Sequence, residues 1–286
     1  MAGAQAYDTS IVIPVRNDPL LPRAIESTPA EAEVIVAMTA PPPGAADAVR
    51  RAMPGRNLRI VISEVPGMSA GVNLGARSAG NEKVVILDSD CRLLPGALEA
   101  YSKALDVCAF VRGVTMVERS GFWSRIAALG TESLNKVFER EARLFGPSIA
   151  FRKTDFLALG GYDESMLHGS CDQEFALRVE RRGIAVRYEP GAVVLHRPLT
   201  FRIDARSHLG YGRGQRQIDG KLGGRSGLRY CLVRLDPREL LRKAAERGGM
   251  SVVRSLLLGV LMLLGYLEES ASVRLGGKAR AASPSR

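Results

Sequence analysis

Four short apolar runs punctuate the first third of the chain: Ser10-Ile-Val-Ile-Pro14, Val34-Ile-Val-Ala37, Leu58-Arg-Ile-Val-Ile62 and Val84-Val-Ile-Leu87. Each reads as a strand buried on both faces. Between them, Leu20 to Ser27, Ala45 to Met53 and Ser69 to Ala79 carry helix signals. This βαβαβαβ order predicts a mainly parallel sheet with right-handed crossovers. Ligands of such sheets sit at the carboxyl ends of the strands.

Pro95 opens a further helix, proline being favoured in the first turn, and Val107 to Val117 reads as a strand. Gly121 to Leu144 keeps helical periodicity through Gly130 and predicts an amphipathic arm. Gly146 to Glu164 returns to a short strand, a helix and a Gly-Gly turn. Cys171 to Arg182 reads as a helix ended by Gly183, with strands near Ile184 to Tyr188 and Ala192 to Leu195. Beyond His196 the glycines and arginines of Tyr211-Gly-Arg-Gly-Gln215 and Lys221-Leu-Gly-Gly-Arg-Ser-Gly227 predict mobile loops. Ser255 to Leu267 is uncharged but shorter than the roughly 18 residues that cross a bilayer, so it reads as a docked or interfacial helix. The expected organisation is a catalytic domain over 1–200, a basic helical extension over 201–270 and a disordered tail over 271–286.

Composition narrows the class. Of the 286 residues, 46% are apolar and 24% charged, the balance of an ordinary globular protein. Cys91, Cys108, Cys171 and Cys231 are scattered, with no CxxC pair, which argues against a disulfide framework and for a reducing setting. The opening MAGAQAYDTS has neither a basic nor an apolar leader region, so a cytoplasmic location is expected. The net charge of +10 is uneven: residues 1–177 carry 18 Lys/Arg against 21 Asp/Glu, and 178–254 carry 18 against 7. Such a block attracts polyphosphates or anionic lipid when it is not simply a solvated arginine face. Its few, widely spread aromatics argue against RNA, so no nucleic-acid partner is expected.

Chemistry concentrates where the fourth apolar run ends, at Asp88-Ser-Asp90. Two aspartates two residues apart at a strand end leave one face together, and the pair is stable as anions when a cation joins them. Oxygen ligands of this kind suit Mn2+ or Mg2+, the rest of whose shell comes from a substrate's phosphates. The competing role is a loop aspartate capping the helix at Pro95.

By itself D-x-D is common, but here it has company in a fixed order. Ser10 to Asn17, Gly67-Met-Ser-Ala-Gly-Val-Asn73 with Arg77, Asp88-Ser-Asp90, Gly160-Gly-Tyr-Asp-Glu164 and Cys171-Asp-Gln-Glu174 together resemble the family-2 nucleotide-sugar glycosyltransferases of GT-A fold. The resemblance spans about residues 8–200. It implies an α/β GT-A sheet flanked by helices, here with a C-terminal helical extension, and a metal-dependent inverting transfer of a sugar from a nucleoside-diphosphate donor to an acceptor hydroxyl. By the same resemblance, Pro14, Arg16, Asn17, Asn73, Arg77 and Asp88 face the donor, and Arg213 lies in a lid over its diphosphate. Asp88 and Asp90 hold the metal, joined by His196 unless that histidine only closes its strand. Asp172 is the general base, with capping of its own helix as the alternative. Glu174 orients the acceptor or solvates the helix; Trp123 stacks on a sugar or packs. Cys91 needs no role beyond packing.

One departure stands out. Family members carry an aspartate after the second strand, where this chain reads Val36-Ala-Met-Thr39. The alternatives to a glycosyltransferase are a nucleotidyltransferase, whose glycine-rich basic signature after the first strand is missing at Pro14-Val-Arg-Asn17, and a non-enzymatic Arg-rich module. For the latter a membrane surface fits better than nucleic acid, because the basic block adjoins the apolar helix. A sugar, lipid-linked or small-molecule acceptor and a peripheral contact at the inner face of the membrane complete the expectations.

Overall fold

The computed structural model describes residues 7–166 and 168–281, with side chains to residue 274. In chain order the elements are β1 (Thr9–Val15), α1 (Leu21–Glu26), β2 (Glu33–Thr39), α2 (Ala45–Ala52), β3 (Leu58–Ser63), α3 (Met68–Ser78), β4 (Lys83–Ile86), β5 (Cys91–Leu93), α4 (Ala97–Leu105) and β6 (Phe110–Val117). There follow α5 (Phe122–Arg140), β7 (Ile149–Arg152), α6 (Lys153–Ala158), α7 (Cys171–Arg181), β8 (Val186–His196), α8 (Phe201–Leu222), α9 (Ser226–Val233), α10 (Pro237–Arg247) and α11 (Gly249–Ala281). They form two compact units. The first comprises 1–119, 131–165 and 171–198; the second comprises 120–130, 166–170 and 199–286.

The first unit holds one eight-stranded sheet in the order β3-β2-β1-β4-β7-β6-β8-β5. The β3-β2-β1-β4 half is parallel throughout, as the apolar runs predict. β7 enters antiparallel to both β4 and β6, and β5 lies antiparallel to β8, so the whole is mixed. β1 is buried along its full length, Ile11, Val12 and Ile13 being wholly inaccessible. β3, expected to be covered on both faces, is the sheet's edge and only partly buried. The chain leaves β1 toward β2 and β3 and returns to β4 on β1's other side. Such a reversal, at the carboxyl ends of β1 and β4, is the usual ligand position of an open α/β sheet.

In the second unit the structure departs from the sequence reading. The expected loops around Gly212 and Gly223 are largely helix: α8 runs unbroken to Leu222. Glycine inside a helix costs about 1 kcal/mol relative to alanine, and tertiary contact offsets that here. A Cβ on Gly212 would lie 1.9 Å from the Met262 carbonyl oxygen, and one on Gly265 would lie 2.1 Å from that of Leu209. The bare backbones of α8 and α11 therefore touch, around a small core of Cys231, Met262 and Tyr266. Asp219, buried on α8, accepts from the Gly227 and Leu228 amides at the start of α9 and from the Tyr266 hydroxyl.

Two further boundaries move. The two strands expected after Gly183 are one, β8, and α11 reaches well beyond Ser255 to Leu267 in both directions. Its Gly249–Arg274 stretch is long and apolar enough to cross a membrane, which the shorter reading excluded. Helix also occupies 271–281, where a disordered tail was expected; 282–286 lie outside the described residues.

Candidate active site

β4 delivers Leu87 into the sheet by a Leu87 N–H to Val12 carbonyl bond, and the chain then turns, the Cys91 amide donating to the Asp88 carbonyl. Asp88 and Asp90 are thus not neighbours on one strand face: a tight turn, not strand periodicity, carries Asp90 round. β5 fixes where it goes. Cys91 pairs with His196 across β5 and β8, and the Arg197 amide donates to the Asp90 carbonyl. This register sets His196 Nε2 3.5 Å and Arg197 Nε 2.9 Å from Asp90 Oδ2. Arg197 Nε is an ion-pair partner rather than a hydrogen-bond donor, its geometry leaving the N–H without an acceptor.

His196 is oriented by its own strand end. Its Nδ1 lies 2.9 Å from the Arg197 carbonyl, which can only accept, so the proton sits on Nδ1. Nε2 then faces Asp90, and a backbone carbonyl on Nδ1 is the usual way a metal-binding histidine is oriented. Ligand atoms of Asp90, Cys91 and His196 lie within 4.8 Å of one another. Cys91 was not anticipated there, because a three-residue strand such as Cys91–Leu93 leaves no periodic signal. Its thiol is pushed well above the ordinary range, by burial first and then by Asp88 and Asp90, so it stays protonated and a poor ligand beside the harder donors. Asp88 is raised to about 7 by burial and by the charges of Asp90 and Asp172. Asp88 is not among the residues whose ligand atoms come within 4.8 Å of one another, so the gathered donors are the Asp90 carboxylate and the His196 ring, a set that fits a hard divalent cation with Asp88 one turn away.

Asp172 lies in the first turn of α7. Its Oδ2 accepts from the Gly146 amide at 2.6 Å and its Oδ1 from the Gln173 amide at 2.9 Å. The Gln173 bond satisfies a first-turn N–H of α7, so Asp172 caps its own helix through Oδ1 while Oδ2 holds the Gly146 amide. Burial pushes its carboxyl up, while the two amides and the Arg112 charge pull it back, leaving it above the ordinary value. Arg112 was not foreseen as part of this neighbourhood. Its guanidinium is buried on β6, donating to the Ser148 carbonyl and Thr115 hydroxyl over the Phe138 ring. Burial lowers it to about 10, against the opposing charges of Tyr101 and Asp172. Its Nε finds no acceptor among the described residues.

The donor-side residues divide. Pro14 is the sixth residue of β1, paired with Ala37, not part of a turn; Arg16 and Asn17 follow it, exposed, at the carboxyl edge. Asn73 is buried and fully engaged: its Nδ2 donates to the Tyr162 carbonyl and to Glu164, and its Oδ1 accepts from the Tyr162 amide. It fastens α3 to the Gly-Gly turn and does not face a donor. Gly161 answers it from the turn, at φ +65, where a Cβ would lie 2.5 Å from Asn73 Oδ1. Arg77, one helical turn on, is half exposed, 3.8 Å from Glu164. Glu174 neither faces an acceptor nor solvates its helix, being buried in a two-pronged pair with Arg178, which also donates to the Leu159 and Gly161 carbonyls.

Two expected site residues belong to the second unit. Arg213 is in the middle of α8, donating twice to Glu268, so the expected lid loop is helix and its arginine is committed. Trp123 donates its indole N–H to Asp204 and meets Phe201 edge-on, the packing role. After β2 the chain runs into Ala40 and Pro41 with no carboxylate, as the sequence shows.

A mixed sheet of this order, flanked by helices, is the fold of GT-A glycosyltransferases. The chain belongs to the Glycosyl transferase family 2, whose family profile matches residues 10–159, more than half its length. Among solved structures, the mannosyltransferase PcManGT from Pyrobaculum calidifontis, in complex with GDP-Man and Mn2+, is similar at 19% identity and a TM-score of 0.58, over 97% of this chain and 81% of its own. GalNAc-T7 with UDP, GalNAc and Mn2+ is similar at 16% and 0.54, over 72% and 47%. TarS 1–349 from S. aureus is similar at 16% and 0.51, over 73% and 64%. At these identities the likeness is one of fold. No curated protein sequence matches the chain.

Proposed function

We propose that the chain transfers a sugar, with inversion, from a nucleoside-diphosphate sugar to an acceptor hydroxyl, with Asp172 as the general base. The observation that carries this is the setting of Asp172: a carboxylate pinned by two backbone amides and raised by burial, close enough to Asp88 for its charge to help raise that carboxyl. A base needs a pKa near the working pH and a fixed direction of approach. Asp88, Asp90 and His196 would hold Mn2+ or Mg2+, which supplies charge neutralisation for the departing diphosphate. The complexes of PcManGT with GDP-Man and Mn2+ and of GalNAc-T7 with UDP, GalNAc and Mn2+ support that reading of the donor side.

In the step itself, Asp172 accepts the acceptor's hydroxyl proton as that oxygen attacks the anomeric carbon. The bond to the diphosphate breaks on the opposite face, and the nucleoside diphosphate leaves with the electron pair. Arg16 and Asn17 at the end of β1, with Arg77 on α3, are the exposed groups left to meet the donor once Asn73 is assigned to the fold. A lipid-linked acceptor accords with the apolar surface of α11.

Thermal-shift measurements with nucleoside diphosphates, with and without Mn2+, test the donor side, and detection of nucleoside diphosphate rather than pyrophosphate tests the reaction. Asp172→Asn is expected to lower kcat by about 10²- to 10⁴-fold, the range of general-base effects, while keeping the nucleotide-induced shift. Full turnover by Asp172→Asn, or stabilisation by no nucleotide with metal, would overturn the proposal.

A further inference from the structure

The second unit carries an apolar face that nothing among the described residues covers. Met250, Val253, Leu257, Val260, Leu264 and Leu267 recur along α11 at steps of three and four, and each is between 44% and 53% exposed. Such spacing lines them up as one straight stripe. The opposite side of the helix is occupied: Leu258, Met262 and Tyr266 are buried, and the Gly212 and Gly265 contacts bring α8 against its backbone. α9 and α10 of the same unit also expose apolar side chains. Leu232 and Val233 at the end of α9 are each 47% exposed, and Leu241 on α10 is 72% exposed, beside Arg238 and Arg242.

We infer that this face docks on an anionic lipid surface, with α11 lying along the membrane and its stripe in the headgroup boundary. Two occupants compete for such a stripe, lipid and a second copy of the chain, and charge decides between them. Helices that pair through a three-four stripe select partners with charged residues flanking it. Here the flanking positions are Arg254, Leu256, Leu261, Leu263, Glu268 and Ser270. The only two charges among them are already held within the unit, Arg254 by Asp204 and Glu268 by Arg213. No charge falls between residues 254 and 268, and the apolar belt widens through three leucines where a pairing seam would turn polar.

The surroundings are basic. Residues 199–248 carry 12 Lys/Arg against 5 Asp/Glu, and two of those acids, Asp204 and Asp219, are buried. An apolar stripe next to exposed arginines is the composition that binds negatively charged headgroups while its side chains enter the acyl boundary. Packing on α8 leaves α11 one free face, so it meets lipid from the side rather than being surrounded by it. The inference rests on this surface alone and stands apart from the sugar-transfer chemistry.

Flotation of the full chain with vesicles tests it. The protein is expected to float with phosphatidylcholine vesicles containing phosphatidylglycerol, less with phosphatidylcholine alone, and less again in high salt. Leu257→Ser with Leu264→Ser should lower the partition by about tenfold or more, since burying one leucine is worth roughly that factor. Arg229→Gln with Arg238→Gln, both exposed and outside the ion pairs that hold Arg242, should weaken binding only to the anionic vesicles, by about fivefold per arginine. This second pair keeps the test decisive if the serine variant melts early by circular dichroism. Flotation with neither vesicle, or equal flotation of both variant pairs, overturns the inference. So does a sedimentation dimer dissociated by the leucine substitutions, which assigns the face to a second copy.

Discussion

Asp172 and Arg112 show how one buried charge can set the working range of another. Burial raises the Asp172 carboxyl, and the Gly146 and Gln173 amides and the Arg112 guanidinium oppose that rise. The base proposed here works deprotonated, so with Asp172 in that role turnover should fall as pH drops through its raised pKa. Removing the guanidinium removes a stabiliser of the carboxylate, and the pKa must move up. Arg112→Met is therefore expected to shift the acid limb of kcat to higher pH. Arg112→Lys, which keeps the charge, should leave that limb near the wild-type position even where stability suffers. A pH–rate profile that does not move in Arg112→Met would show that the arginine serves only the fold. None of this pairing was legible in the sequence, because Arg112 sits inside an apolar strand run sixty residues from its partner. The place of the acidic Asp88 to Asp90 turn, at the end of a buried run, was legible, but its geometry was not, because a turn rather than strand periodicity carries Asp90 round. Asn73 shows the reverse: a polar side chain in the middle of a helix looks available until the turn that consumes its amide is in place.

The elements repeat the contrast. The strands of the first unit are short runs whose burial follows from their own composition, so β1, β2 and β4 stand within a residue or two of their expected bounds. β5 was not legible, because it exists only through its pairing with β8. α8 was misread because its glycines serve tertiary contact, which a local reading cannot see. Two effects of opposite sign meet at those glycines. Alanine would gain about 1 kcal/mol in helix propensity, but at Gly212 and Gly265 the new Cβ would stand 1.9 and 2.1 Å from carbonyl oxygens of the facing helix. Relieving such overlap costs about 1–3 kcal/mol or more, so the clash wins. Gly212→Ala and Gly265→Ala should each destabilise in urea titration. Gly220→Ala, on the same helix, meets only the tip of Arg216 at 3.3 Å and should be neutral or stabilising by up to about 1 kcal/mol. If all three alanines behave alike, propensity and not packing governs α8.

Across the whole molecule, the charge asymmetry of the sequence maps onto two units that answer acid differently, and one residue can report on one of them. Asp204 on α8 is buried, which alone would raise its carboxyl. Its hydrogen bond with His208, the charge of Arg254 and the Trp123 indole N–H more than offset that burial and hold it below the ordinary value. A carboxyl depressed in the folded state contributes stability that is fully present above its unfolded pKa of about 3.9 and is lost as pH falls through the folded value. Acid should therefore loosen the second unit from about pH 4 downward. Trp123 is the chain's only tryptophan and donates directly to Asp204, so indole fluorescence follows this event locally. An acid titration should show a fluorescence transition below about pH 4. Asp204→Asn should abolish that pH dependence and, by leaving Arg254 without its partner in a largely buried site, cost about 3 kcal/mol at neutral pH. Were the transition to persist unchanged in Asp204→Asn, the carboxylate would not be what holds α5, α8 and α11 together at this point.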